Sequence, residues 1–201
     1  RPENAGSKYG RGYFDHIFVW SQTAKEGDDL YSKHLRDLIP PENLFEPDEK
    51  GVERLEHIIA IQKRATAAAD GDLSLIPRIL CLFDDFANCA AFLASPSYLK
   101  CHIANRHFNM SCWSAVQSYV KSPRSCRCNV SGVLFFHGAT RSEVSRLSDE
   151  HTPPDHTARE MKEVVEYATP NKYDFLFVNK QAADQKKGYR RKFGDVINLR
   201  H

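Results

Sequence analysis

The chain has 201 residues, 41% of them hydrophobic, and 28 Lys and Arg against 26 Asp and Glu give it a formal net charge of +2. That length suits one α/β domain, residues 1–201, with a substantial core, and is cramped for two. The composition excludes a membrane span of ~20 apolar residues and a signal peptide, which reads as a soluble intracellular protein, and so small a net charge diagnoses no nucleic-acid partner.

In chain order, Arg1 to Gly12 has no apolar period and reads as a loop, and His16 to Trp20 is the first strand. Asp28 to Leu38 has helical spacing through Leu30, His34, Leu35 and Leu38, and Pro40-Pro41 ends it. Glu49 to Ala69 is the longest helical pattern, with Val52, Leu55, Ile58, Ile59 and Ile61 on one broad face before Asp70-Gly71 breaks it. The run Ile79-Leu80-Cys81-Leu82-Phe83 follows and ends in Asp84 and Asp85. An apolar run without alternation suits a strand buried on both faces of a parallel sheet, an environment that penalises charge except at the strand's open end.

Tyr98 to Phe108 has helical spacing and Met110 to Val116 is a strand closed by Gln117. A basic segment with Pro123, Arg124 and Arg127 leads to the strand Gly132 to Phe136. Arg141 to Leu147 and Thr157 to Ala168 are helical, the second with Met161, Val164 and Val165 as its apolar stripe. Asp174 to Val178 and Asp195 to Leu199 finish the chain as strands, joined by a basic loop with Lys186, Lys187, Arg190, Arg191 and Lys192. Strands alternating with helices imply a mainly parallel sheet flanked by helices, with the last pair open to a hairpin. The basic loop reads either as a solvated loop or as a phosphate contact.

The six cysteines are spread through these predicted strands and helices, as reduced thiols are. Cys126-x-Cys128 near His137 has the wrong spacing for the usual zinc knuckle, and His102, His107, His137, His151 and His156 are too scattered for a metal set, so they read as core or solvated side chains.

Asp84 and Asp85 fall where α/β folds place active sites, beyond the carboxyl ends of the strands. They read either as an acidic turn or as a Walker B pair, in which one carboxylate holds Mg²⁺ and the other polarises a water. Gln117 ends the next strand 32 residues after Asp85, as a residue that senses a γ-phosphate does. Arg106, Arg124 and Arg127 flank that strand and are open to two roles, surface ion pairing or stabilising phosphoryl charge across a subunit boundary.

The segments Leu80-Cys81-Leu82-Phe83-Asp84-Asp85, Asn105-Arg106-His107-Phe108-Asn109-Met110, Val116-Gln117-Ser118 and Pro123-x-x-x-Arg127-x-Asn129 occur in the order and spacing of poxvirus-type DNA packaging ATPases. This family of the FtsK/HerA superfamily of P-loop NTPases occurs in large DNA viruses, virophages and virus-like transposons. Tyr13 to Ser21 resembles its second strand, and Tyr173 to Asn179 with Tyr189, Arg190, Arg191 and Phe193 resembles its C-terminal end. The resemblance covers nearly the whole chain. It implies a RecA-like ASCE core, with Asp84 on Mg²⁺, Asp85 activating the hydrolytic water, Gln117 as sensor, and Arg106 or Arg127 acting in trans. It implies ATP as cofactor and a homo-oligomeric ring that translocates double-stranded DNA into a capsid, meeting capsid vertex proteins in a virus factory or virion. Lys186, Lys187, Arg190 and Arg191 would then lie near the DNA backbone.

The glycine-rich loop G-x-x-x-x-G-K-S/T does not occur in these residues. Gly6-Ser7-Lys8-Tyr9-Gly10-Arg11-Gly12 lacks the Lys-Ser/Thr pair, and no strand precedes it. With Arg1 as first residue, the expectation is an absent N-terminal strand, loop and helix of about 25 to 30 residues, and weak binding of Mg-ATP by the chain as it stands. The alternatives are a non-catalytic α/β ring or scaffold module that lost its P-loop, and a metal-dependent nuclease, for which further carboxylates and a lysine are wanting.

Overall fold

The structure is a computed structural model and describes residues 12–23, 39–85, 89–184 and 187–198. The expected helix from Asp28 to Leu38, most of the glycine-containing stretch before Gly12, and Lys186 lie outside the described residues. The chain forms two compact units, 1–117 and 118–201.

In the first unit β1 (His16–Ser21), β2 (Leu44–Phe45), β3 (Ile79–Asp84) and β4 (Met110–Ala115) form a sheet in the order β2-β1-β3-β4, parallel throughout. The connections carry α1 (Glu49–Ala68), the short α2 (Ala90–Leu93) and α3 (Pro96–Ala104). The helix begins at Asp48 in α1 because that side chain accepts from Gly51 N at 2.7 Å, satisfying one of the unpaired first-turn donors. Leu55, Ile58 and Ile59 turn its apolar stripe to the core. On the same stripe Gln62 is 1% exposed and donates to Pro77 O at 2.9 Å and Phe108 O at 2.8 Å, tying the helix to the entrances of β3 and β4. Trp20, Phe83, Phe92 and Tyr98 fill the core beneath the helices, with Trp20 and Tyr98 each 5.0 Å from the Phe83 ring. Among the described residues β4 pairs only with β3, and its Trp113 is 58% exposed.

The second unit differs from the parallel pattern the helix–strand alternation suggests. It contains α4 (Arg124–Asn129), β5 (Gly132–Phe136), α5 (Arg141–His151), α6 (Ala158–Ala168), β6 (Phe175–Asn179), β7 (Tyr189–Arg191) and β8 (Asp195–Val196). Its strands form an antiparallel sheet of their own in the order β5-β6-β7-β8. The basic segment read as a loop contains β7, and the last strand is two residues long. Both α5 and α6 open with a capping box, Thr140 with Glu143 and Thr157 with Glu160, which sets their first turns without help from the core. Phe135, Leu147, Met161, Val165, Leu176, Val178 and Tyr189 close the core between helices and sheet.

Candidate functional site

β3 delivers Asp84 at the carboxyl end of the parallel sheet. Its register partners are Ser21 at the end of β1 and Ala115 at the end of β4, so three parallel strands terminate at one level. Asp85, the next residue, keeps the ladder for one more step by donating its N–H to Ala115 O at 3.1 Å, while its φ of 50° turns the chain out of the sheet. That left-handed conformation costs a non-glycine residue about 1–2 kcal/mol, and aspartate is among the few that visit it. Both carboxylates are half-buried, whereas the strand behind them is buried at Ile79, Leu80, Cys81 and Phe83.

Gln117 is exposed in the bend two residues beyond β4 and stands at the same end of the sheet as the two aspartates. Arg106 does not. It is exposed in the 3-10 turn Asn105–Phe108 that leads into β4, at the amino end of the strands. Five residues of strand separate that end from Asp84, roughly 17 Å at about 3.3 Å each. Arg106 therefore stands at the opposite end of the strands from these carboxylates.

Arg127, to which the resemblance gives a role in trans, is engaged within its own unit. It is 7% exposed, donates from Nη2 to Glu150 Oε1 at 2.7 Å and from Nε to Glu150 Oε2 at 2.9 Å, and bonds through Nη1 to Ser122 O. Its guanidinium also lies 5.3 Å from the Tyr119 ring centre. These bonds commit most of the guanidinium's five donors to partners in its own unit, which favours an internal ion pair.

The basic segment is likewise engaged from within. Arg191 sits on the helix-covered side of the sheet and pairs with Asp174 at 3.3 Å, and Lys192 reaches the same carboxylate at 2.9 Å. Led by the Lys192 bond, these contacts hold the Asp174 carboxyl down to about 2. That pairing ties Arg191 to Asp174 within the second unit. Lys187 stands 3.8 Å from Asp184, and Arg190 donates to Phe193 O at 3.2 Å from the other side of the sheet.

The strand ends carry more polar groups than the motif reading found. A cavity of about 470 Å³ opens at the carboxyl ends of β1 and β2, lined by Gln22, Thr23, Glu46, Pro47, Asp48 and Cys89. Gln22 Nε2 donates to Cys89 Sγ at 2.9 Å, joining the exit of β1 to the segment after β3, and burial pushes the Cys89 thiol up. The sequence signal for Ser21 and Gln22 is the same as for the aspartates: an apolar strand, Ile17 to Trp20, that exits into polar residues.

Behind the site, His102 locks α3 to β4. Its Nδ1 lies 3.0 Å from Tyr98 O, which only accepts, so Nδ1 carries the proton and Nε2 accepts from the Ser114 hydroxyl at 2.9 Å. Burial lowers the His102 pKa and keeps the ring neutral in that role.

Among the described residues no three His, Cys, Asp or Glu side chains are grouped to hold a metal ion. The donors at the end of β3 are instead one or two hard carboxylate oxygens, the number Mg²⁺ takes from protein when substrate phosphates and water complete its octahedron. The pair therefore fits Mg²⁺ held together with a nucleotide.

No protein-family model and no curated protein matches the chain. Solved structures do. B204, the DNA-packaging ATPase from Sulfolobus Turreted Icosahedral Virus, superposes with a TM-score of 0.56 at 12% identity, over 84% of this chain and 80% of that one. The genome packaging NTPase B204 from Sulfolobus turreted icosahedral virus 2, in complex with AMP, gives 0.56 at 11% identity over 88% of this chain and 81% of its own, and it is also solved with ATP-gammaS. EssC (ATPases 2 and 3) from Geobacillus thermodenitrificans gives 0.56 at 11% identity over 92% of this chain, which spans 33% of EssC. The chain has the fold of these P-loop ATPases, a parallel four-stranded sheet flanked by helices.

Proposed function

We propose that residues 1–201 belong to one ATPase domain of a viral DNA-packaging motor that hydrolyses ATP to translocate double-stranded DNA into a capsid. The observation that carries this reading is the placement of Asp84 and Asp85 at the carboxyl end of a parallel strand, with Gln117 at the end of the next, in a fold shared with genome-packaging NTPases. Alignment over 84% or more of the chain supports treating both units as parts of one such domain. No helix among the described residues is long and apolar enough to cross a membrane, which is compatible with action in an infected cell or virion.

In this reading Asp84 holds Mg²⁺, which neutralises charge on the β- and γ-phosphates when bound. Asp85 accepts a hydrogen bond from the attacking water and Gln117 orients it. The left-handed turn at Asp85 sets its carboxylate one residue beyond the sheet, clear of the apolar strand that would resist its charge. Phosphates also require a loop of backbone N–H donors, which the sequence of these residues does not contain. Arg106, exposed at the amino end of the strands, is the candidate for a neighbouring subunit's site, with the ring contacting DNA and capsid vertex proteins.

The test is DNA-stimulated ATPase activity of a protein that carries both this chain and a Gly-x-x-x-x-Gly-Lys-Ser/Thr loop. Asp85→Asn is expected to lower turnover by about 10²–10⁴-fold, the range for loss of a general base. Full turnover by that variant overturns the assignment.

A further inference from the structure

Three thiols converge in the layer between α3 and the sheet of the first unit. Cys81 of β3 and Cys112 of β4 are register partners in parallel strands, so their side chains leave the sheet on the same face. On that face the Tyr98 hydroxyl lies 3.3 Å from Ser114 Oγ, and His102 Nε2 lies 2.9 Å from the same oxygen. The turn of α3 between these two residues carries Cys101, which hydrogen-bonds both the Cys112 and the Cys81 thiols. All three cysteines are reduced.

We infer that Cys101 and Cys112 are a redox pair that closes to a disulfide when the protein meets a peroxide, fastening α3 to β4. The pair lies in the core of the first unit, and its chemistry is independent of Mg-ATP at Asp84 and Asp85.

Two thiols already in contact need only small side-chain rotations to reach the S–S bond length of about 2.05 Å. Entry is at Cys112, which is half-buried on a strand paired on one side only, whereas Cys81 is 0% and Cys101 1% exposed. Cys112 Sγ lies 3.3 Å from His102 Nε2, the ring nitrogen that carries no proton, which favours release of the thiol proton. Cys101 stands beside it as the resolving thiol, the arrangement that stops oxidation at its reversible stage.

In the first step the Cys112 sulfur attacks one peroxide oxygen and the O–O bond breaks. The thiol proton ends on the departing hydroxide, giving a sulfenic acid and one water. In the second step the Cys101 sulfur attacks the sulfenic sulfur and the S–O bond breaks. The Cys101 proton joins the departing hydroxide, giving the disulfide and a second water. The two thiols lose two electrons and two protons, and the peroxide takes up both. The new bond fixes α3 to the strand whose exit leads to Gln117.

The experiment exposes the reduced chain to hydrogen peroxide in native buffer, quenches it, alkylates it in urea with N-ethylmaleimide, and maps it by mass spectrometry without reduction. A disulfide joining the Cys101 and Cys112 peptides is expected, and dithiothreitol is expected to remove it. This map needs no variant. Cys112→Ser, at a half-buried position, is expected to abolish the bond and to slow the loss of alkylatable Cys101 at least tenfold, while Cys89→Ser and Cys128→Ser are expected to retain it. Cys101 and Cys112 both fully alkylated after peroxide, a disulfide between other cysteines, or Cys112 oxidised irreversibly with no disulfide overturns the inference and leaves the three thiols as core packing.

Discussion

Arg127 and Glu150 meet through two parallel contacts, Nη2 to Oε1 at 2.7 Å and Nε to Oε2 at 2.9 Å, with both side chains about nine-tenths buried. The pair joins α4 to α5 and is the internal anchor of the second unit. Removing one partner strands the other charge away from water, a loss of about 3–5 kcal/mol. Arg127→Ala and Glu150→Gln are each expected to lower the unfolding free energy by about 3 kcal/mol. The double change Arg127→Met with Glu150→Leu is expected to cost less than either. Urea titrations of the four proteins check this, and a double variant weaker than both singles contradicts it.

His151 adjoins that pair and makes stability depend on pH. The Tyr119 hydroxyl donates to Glu150 Oε2 at 2.8 Å, and its single proton is then engaged, so His151 Nε2, 2.8 Å away, is the donor to the Tyr119 oxygen. Burial first, then the charge of Lys180, lowers the His151 pKa to about 4 in spite of Glu150. The unfolded chain takes up this proton near pH 6.5 and the folded chain does not. Stability is therefore complete above about pH 6.5 and falls as the pH drops towards 4, by roughly 3 kcal/mol over that span. His151→Gln is expected to flatten this part of the curve in denaturation measured between pH 7 and 4.

Gly51 tests the start of α1. A Cβ at this position would lie 2.0 Å from the backbone oxygen of Glu46 and 3.2 Å from the Trp20 ring. Trp20 Nε1 also donates to Gly51 O at 2.9 Å, so the helix cannot shift away without breaking a buried bond. Gly51→Ala is expected to destabilise by about 1–3 kcal/mol despite alanine's better helix propensity, because overpacking outweighs it. Thermal melting of the variant decides; an unchanged or raised midpoint would show that the backbone yields.

Arg106 is expected to act across a subunit boundary. In a protein that also carries a phosphate-binding loop, Arg106→Ala is expected to lower turnover by about 10³-fold or more. Mixing Arg106→Ala subunits with Asp85→Asn subunits is expected to restore part of it, since each supplies what the other lacks at shared sites. No recovery on mixing removes Arg106 from the trans role.

Much of the first unit was legible in the sequence. Unalternated apolar runs such as Ile79 to Phe83 identify strands covered on both faces, and the break at Asp70-Gly71 ends α1 where the helical period stops. The same logic located Asp84 and Asp85. Leu44 and Phe45 escaped because two residues carry no period; pairing with Val19 and Trp20 makes them a strand. Ser21 and Gln22 carried the polar-exit signal, but the double carboxylate drew the motif reading first.

In the second unit the reading found α5, α6, β5 and β6 but took β7 for a loop and α4 for an irregular basic segment, and it left the sheet incomplete. Phe175 to Val178 and Gly132 to Phe136 have strand patterns whichever neighbour they take, and alternation of helix and strand favoured a parallel arrangement. The register of Phe135 with Leu176, and of Phe177 with Arg190, is antiparallel. Arg127 and Arg191 show the same limit, since a guanidinium on an open surface and one matched to a buried carboxylate have identical sequences.

The sequence by itself determined where this chain turns from apolar to charged, and hence the strand exit at Asp84 and Asp85, because burial of unpaired charge is too costly to be placed elsewhere. Only the tertiary structure decided which charges are matched. It paired Arg127 with Glu150 and Arg191 with Asp174, and left Arg106, Arg141 and Lys162 exposed, because a charge's partner is set by the strand register and helix packing that bring distant residues together.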